Sequence, residues 1–219
     1  MDDDEGTGRS RSEAFDAPVG VVVQGEIDHD TPAAVREALQ SAEDARQSVF
    51  VVKINSGGGC CYSALAIIDA LVGWRAREAG RRIVCVAEGM CFSAALPVFC
   101  TGDDRCALPL TSFLQHDLST VNTGSLQQLK QNSAEAERVN DLLDGFVKDR
   151  IDDTDEHEAL FGKGDVYFDA SRARALGVAT CVGHPTIRVD LHIALPEQAS
   201  PPAASKRRRR GSSNRLQSK

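Results

Sequence analysis

Short apolar runs alternate along the chain with segments in which apolar residues recur every three or four positions. The runs Gly20–Val23, Val49–Ile54 and Ile83–Ala87 are rich in β-branched residues and almost wholly apolar, which is typical of strands covered on both faces. The segments from Thr31 to about Ala45 and from Leu65 to Val72 have helical spacing instead. This alternation predicts an α/β fold with a largely parallel sheet built from repeated βαβ units.

The second half of the chain continues the pattern with shorter elements and one long helix, which is predicted over about 125–151. Polar residues dominate the first half of that helix, so we expect this half to project from the body of the domain. A later helix is predicted to begin at an N-cap, Ser171, and to stop at Gly177. Further short strands are predicted at 105–108, 112–116, 178–182 and 187–195.

The two ends of the chain depart from this pattern. Residues 1–18 are polar and acidic, whereas residues 196–219 are rich in Pro, Ala and Ser and contain the basic run Lys206–Arg210. Such compositions bury too little apolar surface to offset the entropy of folding. We therefore predict one folded domain over residues 19–195 between two disordered ends.

The net charge of the chain is −7, and its distribution narrows the classes of function. Residues 1–16 carry −4 and residues 201–219 carry +7, which leaves −10 for the body between them. An acidic body argues against a nucleic-acid-binding face on the folded domain. The basic tail is either a solvated end or a segment that contacts nucleic acid or an import receptor. The second interpretation would place the protein in a nucleus.

The chain has seven cysteines, an odd number, and several lie inside apolar runs. No Cys-x-x-Cys pair or other metal-ligand spacing occurs, so no metal site is expected. Buried free thiols in the cytoplasm or another reducing intracellular compartment are favoured over structural disulfides. The N-terminus has no apolar leader and no window reaches about 18 apolar residues, so neither a signal peptide nor a membrane span is expected.

Ser93 is the strongest candidate for chemistry. It follows the strand-like run Ile83–Ala87 and precedes an apolar, helix-like segment that ends near Phe99. A serine at a turn from strand to helix exposes its hydroxyl beside backbone N–H groups, which is the geometry of an acyl-transfer nucleophile. Its own turn would aim the N–H of Ala94 at the carbonyl oxygen of a substrate.

Three further features would supply what such a nucleophile needs, namely a base, an orienting carboxylate and a second N–H donor. The triplet Gly57–Gly59 follows a strand, where glycines permit positive φ and a close approach of substrate. His116 ends an apolar strand, and Asp165 begins a short extended segment. Taken singly, each has a plain structural interpretation: a tight turn, a structural histidine and a solvated aspartate.

Read together, these features resemble the proteolytic subunit of the Clp (caseinolytic) protease family over roughly residues 19–183. Ile54–Gly59 is similar to the family's INSPGG turn, and Gly89–Ala95 resembles its GxAxSMGA nucleophile segment. Ala107–His116 is similar to ALPNSRxMIHQP, Asp165–Ser171 to DRFLSAPEA, and Ala175–Ala179 to AxxYGLVD. The order of the motifs and their compatible spacing carry the resemblance.

The resemblance implies a serine endopeptidase that hydrolyses peptide bonds through an acyl-enzyme, without a cofactor. It assigns Ser93 as nucleophile, His116 as base and Asp165 as the residue that orients the base. The backbone N–H groups of Gly59 and Ala94 would form the oxyanion hole. Gly58 beside them would contact the substrate.

The resemblance also implies the fold and the partners. The fold is the spiral of βαβ units shared with the crotonases, and members stack as homo-oligomeric rings through a handle helix, here about 125–150. Substrates would be peptides or unfolded proteins, delivered by an ATP-dependent AAA+ unfoldase. The segment before Val19 is short, acidic and unlike the family's axial hairpin, which argues against docking to such an unfoldase ring.

Three alternatives stay open at this stage. Phe92 and Pro97 beside the nucleophile are consistent with a relative that kept the fold and lost the reaction, acting as a structural subunit. Lys130 on the long helix could replace the histidine in a Ser–Lys dyad. The third alternative is a crotonase-like enzyme that acts on acyl-CoA.

Overall fold

Strands and helices alternate in the first half of the fold, as the apolar pattern predicts. The computed structural model describes residues 20–151, 154–161 and 164–185. The elements within these residues are β1 (Gly20–Ile27), α1 (Thr31–Asp44), β2 (Val49–Gly59), α2 (Cys61–Ala76), β3 (Arg82–Phe92), α3 (Ala95–Cys100), β4 (Asp104–Ala107), β5 (Ser112–Gln115), α4 (Leu126–Lys148), α5 (Thr154–Leu160), β6 (Val166–Asp169), α6 (Ala170–Ala175) and β7 (Cys181–Val182).

The described strands form one sheet in which all pairs of neighbouring strands but one are parallel. The order along its main path is β1-β2-β3-β4-β7, and β5 pairs with β3 and β6 away from that path. The pairing of β5 with β6 is antiparallel, whereas the other strand pairs run parallel. The predicted α/β class with a parallel sheet is confirmed, and it is consistent with the predicted spiral of βαβ units.

Strand β3 pairs with two different neighbours on the same side. Its first half, Val84–Ala87, pairs with β4, and its last residues, Met90–Phe92, pair with β5. The change of partner falls at Gly89, whose φ of +72° suits glycine. Here the N–H of Met90 donates to the side chain of Asn55 over 3.4 Å. Because of this change, β5 lies beside the end of β3.

Helix α2 and the sheet form the centre of the core. The helix is apolar on nearly all sides and buries Ile67, Ile68 and Leu71 completely or almost so. The indole of Trp74 packs against the ring of Phe50 on β2, with 5.7 Å between ring centroids. This packing explains why α2 shows little alternation of apolar and polar faces in the sequence.

Helix α4 has the predicted division between its two halves. Its N-cap is Ser125, whose hydroxyl accepts a hydrogen bond from the N–H of Gln128, while the Gln128 side chain accepts from the N–H of Ser125. This reciprocal pair is a capping box. The first buried residue of the helix is Val139, and buried residues continue to Val147. The first half therefore extends along solvent, as a handle would.

Several boundaries differ from the sequence prediction. Strand β2 continues through the glycine triplet to Gly59, and β3 continues to Phe92, because pairing with neighbouring strands holds these residues extended. The N-cap of α6 is Asp169, whose carboxylate accepts from the N–H of Arg172, so the predicted cap at Ser171 is wrong. Helix α5 was not predicted, and the last predicted strand, at 187–195, lies outside the described residues.

The predicted domain limits at 18 and 196 also fall outside the described residues, so they stay predictions. The described helices give no candidate for crossing a bilayer, since none is both long enough and apolar enough. The pairing of β7 with β4 holds the end of the described chain to the sheet. Arg105 strengthens this attachment, because its buried guanidinium donates to the carbonyl oxygens of Gly177 and Val178.

Two of the cysteines form a disulfide, which corrects the expectation that the thiols are free. Cys106 on β4 and Cys181 on β7 are directly paired residues of adjacent strands, with 4.8 Å between their Cα atoms. That separation lies within the range that a disulfide needs. The pairing could not be read from the spacing of the cysteines, because 75 residues separate the two. The remaining described cysteines are free.

Replacing Phe50 with alanine should lower the free energy of unfolding by about 3–5 kcal/mol, because it opens a cavity against Trp74. Urea denaturation followed by circular dichroism measures this loss. Val22→Ala is the matched control, since Val22 lies on the neighbouring strand with 55% of its surface exposed. It should cost less than about 1 kcal/mol, and equal losses in the two variants would contradict the assignment of the core.

Alkylation should distinguish the free cysteines. Hydrogen bonding from the side chain and N–H of Ser63 lowers the pKa of the exposed Cys60 thiol below its ordinary value. Burial raises the pKa of Cys85 and of Cys100 to about 12. Iodoacetamide at neutral pH should therefore modify Cys60 first in the native protein, more slowly as the pH falls and the thiolate is protonated.

Peptide mapping by mass spectrometry after short exposure measures this order of modification. Protein unfolded in urea is the control, in which the buried thiols should react as well. Native Cys85 reacting as fast as Cys60 would contradict the prediction.

Candidate active site

The sheet brings the predicted site residues to one place by the order of its strands. Strand β3 ends at the residue before Ser93, between the glycine end of β2 and the end of β5. His116 directly follows β5, and Asp165 directly precedes β6. Because Gln115 pairs with Val166 in the antiparallel ladder of these two strands, the next residue on each strand is His116 on one side and Asp165 on the other.

Ser93 occupies a sharp turn between β3 and α3. Its φ of +53° lies in the left-handed region, which is rare for a residue with a side chain and costs about 1–3 kcal/mol. Two hydrogen bonds of 2.9 Å hold the turn: the N–H of Ser93 donates to the carbonyl of Leu114, and the N–H of Leu96 donates to the carbonyl of Ser93. A strained, well-held serine between strand and helix is the arrangement predicted for a nucleophile.

The glycine end of β2 lies directly against this turn. A Cβ atom on Gly58 would stand 2.8 Å from the Cβ of Ser93 and 3.0 Å from the backbone nitrogen of Ala94. The φ of Gly58 is +91°, so both the space and the backbone conformation require glycine. The glycine turn can thus lie this close to Ser93 and Ala94 only because residue 58 has no side chain.

Gly59, the predicted second oxyanion donor, faces the other neighbour of β2. It pairs with Ile27 of β1, and a Cβ on it would meet Ile27 and the side chain of Glu26. The N–H of Gly58 donates to the hydroxyl of the buried Ser56 over 3.1 Å, which fixes the conformation of the turn. The structure thus brings Gly58 against Ser93, whereas the role of Gly59 as a donor stays a prediction.

An open groove runs along the glycine turn. Its volume is about 420 Å³, and it is lined by Gly25, Glu26, Gly57–Gly59 and Met90. Four of its six lining residues are glycines, so peptide-like groups can come close to the backbone there. The groove suits an extended chain better than a compact small molecule, since it is shallow and mostly made of backbone.

His116 and Asp165 face each other as the strand register implies. The Nδ1 atom of His116 lies 3.6 Å from an oxygen of Asp165, which is the range of an ion pair but longer than a hydrogen bond. The histidine side chain is 23% exposed and the aspartate 62%. With Nδ1 turned toward the carboxylate, the opposite nitrogen, Nε2, is left for a second partner.

Ser93 and His116 line the same narrow cleft, together with Ala94 and Pro97. Its cavity volume is about 30 Å³. Pro97 is the third residue of α3, where the N–H that proline lacks would have no partner within the helix. The ring of Phe92 packs edge-on against Tyr167, and Phe92 is not among the residues that line the cleft.

Lys130, the alternative base, does not reach this cleft. It is exposed in the first half of α4, nine residues before Val139, the first buried residue of that helix, and it is not among the residues that line the cleft. The groups that α4 contributes to the cleft come from its second half instead. The histidine therefore fits the position of a base beside Ser93 better than the lysine does.

The sequence interpretation missed the polar floor of the cleft. Gln115, Asn140 and Asp144 line it, and the amide groups of Gln115 and Asn140 donate to the Asp144 carboxylate over 3.0 and 3.2 Å. One signal was present in the sequence. Asp144 directly follows Leu143, in the apolar stripe of α4, where a solvated aspartate is not expected.

No group of three or more His, Cys, Asp or Glu side chains in the described part of the chain is arranged to hold a metal ion. A hydroxyl and an imidazole in one cleft, with a carboxylate behind the imidazole, can carry out acyl transfer.

The comparisons with known proteins agree with this geometry. The Clp protease family profile matches residues 10–185, which include every candidate site residue and every described element. A search among curated proteins returned no match. Since the matched segment covers most of the 219 residues, the chain belongs to the Clp protease family.

Proposed function

We propose that this protein is a serine endopeptidase that cleaves peptide bonds at Ser93. The observation that carries the proposal is the shared cleft of Ser93, Ala94 and His116, with Asp165 facing the imidazole from behind. Membership of the Clp protease family supports a peptidase in general terms. The serine mechanism and the individual roles below are our proposal.

In the proposed reaction, the Oγ of Ser93 attacks the carbonyl carbon of the scissile bond and its proton passes to Nε2 of His116. The carboxylate of Asp165 stabilises the imidazolium that forms and fixes its orientation. His116 then protonates the departing amine, which leaves an ester on Ser93. Water attacks this ester, activated by the same imidazole, and releases the second product.

The negative oxygen of the tetrahedral intermediate needs fixed N–H donors. We propose the N–H of Ala94 as the first, since Ala94 stands at the start of α3 and Gly58, which has no side chain, lies against it. The N–H of Gly59 is the proposed second donor, and Gly58 is the proposed point of contact with the substrate backbone. The distance between His116 and Asp165 should shorten when substrate binds, because catalytic hydrogen bonds often tighten only in the complex.

The proposed substrates are peptides and unfolded segments, and the proposed assembly is a homo-oligomeric ring. Proteins of the Clp protease family generally form rings and act on peptides. The exposed apolar residues Leu126 and Leu142 on α4 are consistent with contacts between subunits along this helix. Dependence on an ATP-driven unfoldase is a further part of the proposal, and native mass measurement with and without such a partner would test the assembly.

One observation favours a second candidate, a catalytically inactive structural subunit of the same fold. The separation of 3.6 Å between His116 and Asp165 exceeds a hydrogen bond, and the aspartate is mostly exposed. Such a subunit would enter mixed rings with an active paralogue without reacting itself. The labelling experiment below separates the two candidates.

A fluorophosphonate probe should label the full-length protein at one residue, Ser93, and Ser93→Ala should abolish the labelling. His116→Ala should slow it by about 10³-fold or more, because the serine loses its base. Intact-mass measurement over time gives the rates.

Ser41→Ala is the matched control, since Ser41 is an exposed serine on α1, outside the cleft. It should be labelled at the wild-type rate. If folded, assembled wild-type protein is not labelled, the inactive subunit becomes the better conclusion.

Gly58→Ala should lower the rate of labelling by about 10²-fold or more, as expected when an oxyanion site is blocked. The new methyl group would press on Ser93 and stand 3.0 Å from the backbone nitrogen of Ala94, the proposed oxyanion donor. Gly57→Ala is the control, because a Cβ there meets nothing within 4 Å. Similar rates for both variants would argue against an oxyanion site at the glycine turn.

A further inference from the structure

The cleft beside Ser93 has one polar end, and a buried carboxylate lies in it. Asp144 is only 6% exposed, and it lines the same cavity as Ser93 and His116. Cys61, Pro97 and Leu118 add apolar groups to the lining of the same cavity. A side chain that enters the cleft next to Ser93 therefore meets both apolar groups and a buried carboxylate.

Nearby donors partly satisfy the carboxylate. One oxygen accepts from Gln115 over 3.0 Å, and the other accepts from Asn140 over 3.2 Å and lies 3.6 Å from the ammonium of Lys148. An ionised carboxylate has about four acceptor positions, so it can accept one more hydrogen bond from the cleft. Gln115 is itself buried, and the N–H of Leu118 donates to the Asn140 side chain, so the floor is held in place.

The electrostatic environment of Asp144 also favours a further hydrogen-bond donor in the cleft. Burial raises the pKa of Asp144 above its ordinary value, and the charge of Asp117 adds to the rise, while Lys148 and the hydrogen bond from Gln115 oppose it. The pKa of Asp144 is raised overall, so the present partners of the carboxylate do not fully compensate for its lost hydration. A further hydrogen-bond donor in the cleft would find a favourable partner.

The size of the cavity is a second limit on the side chains that can enter it. The cavity volume of about 30 Å³ holds roughly two water molecules. The hydroxymethyl group of serine approaches that size. Asparagine and leucine side chains are both larger and have similar shapes, so a difference between them in binding reports hydrogen bonding rather than size. Enlargement would require movement of α4, whose Val139 and Leu143 are packed into the core.

We infer that Asp144 makes the pocket beside Ser93 selective for small side chains that donate a hydrogen bond, such as those of serine and asparagine. This inference rests on the proposed peptidase function, because it assumes that the side chain preceding the cleaved bond enters this pocket. A large apolar side chain would cover the carboxylate without donating a hydrogen bond to it. Leaving a buried polar group unpaired is the strongest means by which a pocket rejects a ligand.

The test measures binding rather than cleavage, so that it does not depend on catalysis. Fluorescein-labelled glycine hexapeptides with a single serine, asparagine or leucine are titrated with the full-length Ser93→Ala protein, and fluorescence anisotropy gives the dissociation constants. The serine and asparagine peptides should bind at least about 10-fold more tightly than the leucine peptide. This ratio in the Ser93→Ala protein already tests the inference before any further variant is made.

Asp144→Ala, added to Ser93→Ala, should remove the preference or reverse it, since it deletes the acceptor and enlarges the pocket. Asp144→Asn preserves the size of the side chain and should reduce the ratio as well, which covers the case in which the alanine variant does not fold. Asp141→Ala is the matched control, because it removes the same charge one turn earlier on α4 from an exposed position. It should keep the original ratio.

Equal or tighter binding of the leucine peptide, or no binding of any peptide, would overturn the inference. So would a loss of preference in Asp141→Ala as large as in Asp144→Ala. Fluorophosphonate labelling of the protein with Ser93 intact separates the two proposals. If Ser93 is labelled but the leucine peptide binds more tightly, only the pocket inference is wrong. If Ser93 is not labelled but the serine peptide is preferred in a way that depends on Asp144, only the peptidase proposal is wrong.

Discussion

The pairing of β3 with two successive neighbours is the constraint on which the site depends. If β3 paired with β4 along its whole length, β5 would have no place beside Ser93. Because the ladder passes from β4 to β5 near Gly89, the end of β5 lies next to the serine turn, and the Ser93 N–H is bonded to Leu114. The antiparallel return of β6 then brings Asp165 to His116. Hydrogen-bond register alone thus sets the positions of the serine, the histidine and the aspartate.

Much of this arrangement could be predicted from the chain. Apolar runs of the right length identify the central strands, and the order of glycine turn, Ser93, His116 and Asp165 identifies the family. The antiparallel pairing of β5 with β6 could not be predicted, because both strands have four residues and no alternation long enough to show an exposed face. The disulfide was missed for a related reason: β7 has only two residues, and its position beside β4 follows from tertiary contacts.

The glycine turn shows a finer limit. The sequence places three glycines after a strand but does not say which of them faces the serine. Irregularities in the register of β2 with β1, and of β2 with β3, decide this. Opposite β1, one extra residue of β2 changes the neighbour that the following backbone groups face. Gly58 consequently faces Ser93 and Gly59 faces Ile27. The spacing of apolar and polar residues along the chain does not predict this difference.

Residues that break local rules meet around Ser93. The serine itself has positive φ, Gly58 beside it has no room for a Cβ, and the buried Asp144 lines the same cleft as Ser93. Each costs stability, and their coincidence is expected at a functional site rather than in an ordinary core. They also come from different parts of the fold. The sheet holds Ser93 and His116, whereas the second half of α4 supplies Asp144. Since the buried residues of α4 begin at Val139, substitutions on the inner face of its second half can alter which side chains enter the cleft while the register that positions Ser93 and His116 is left unchanged.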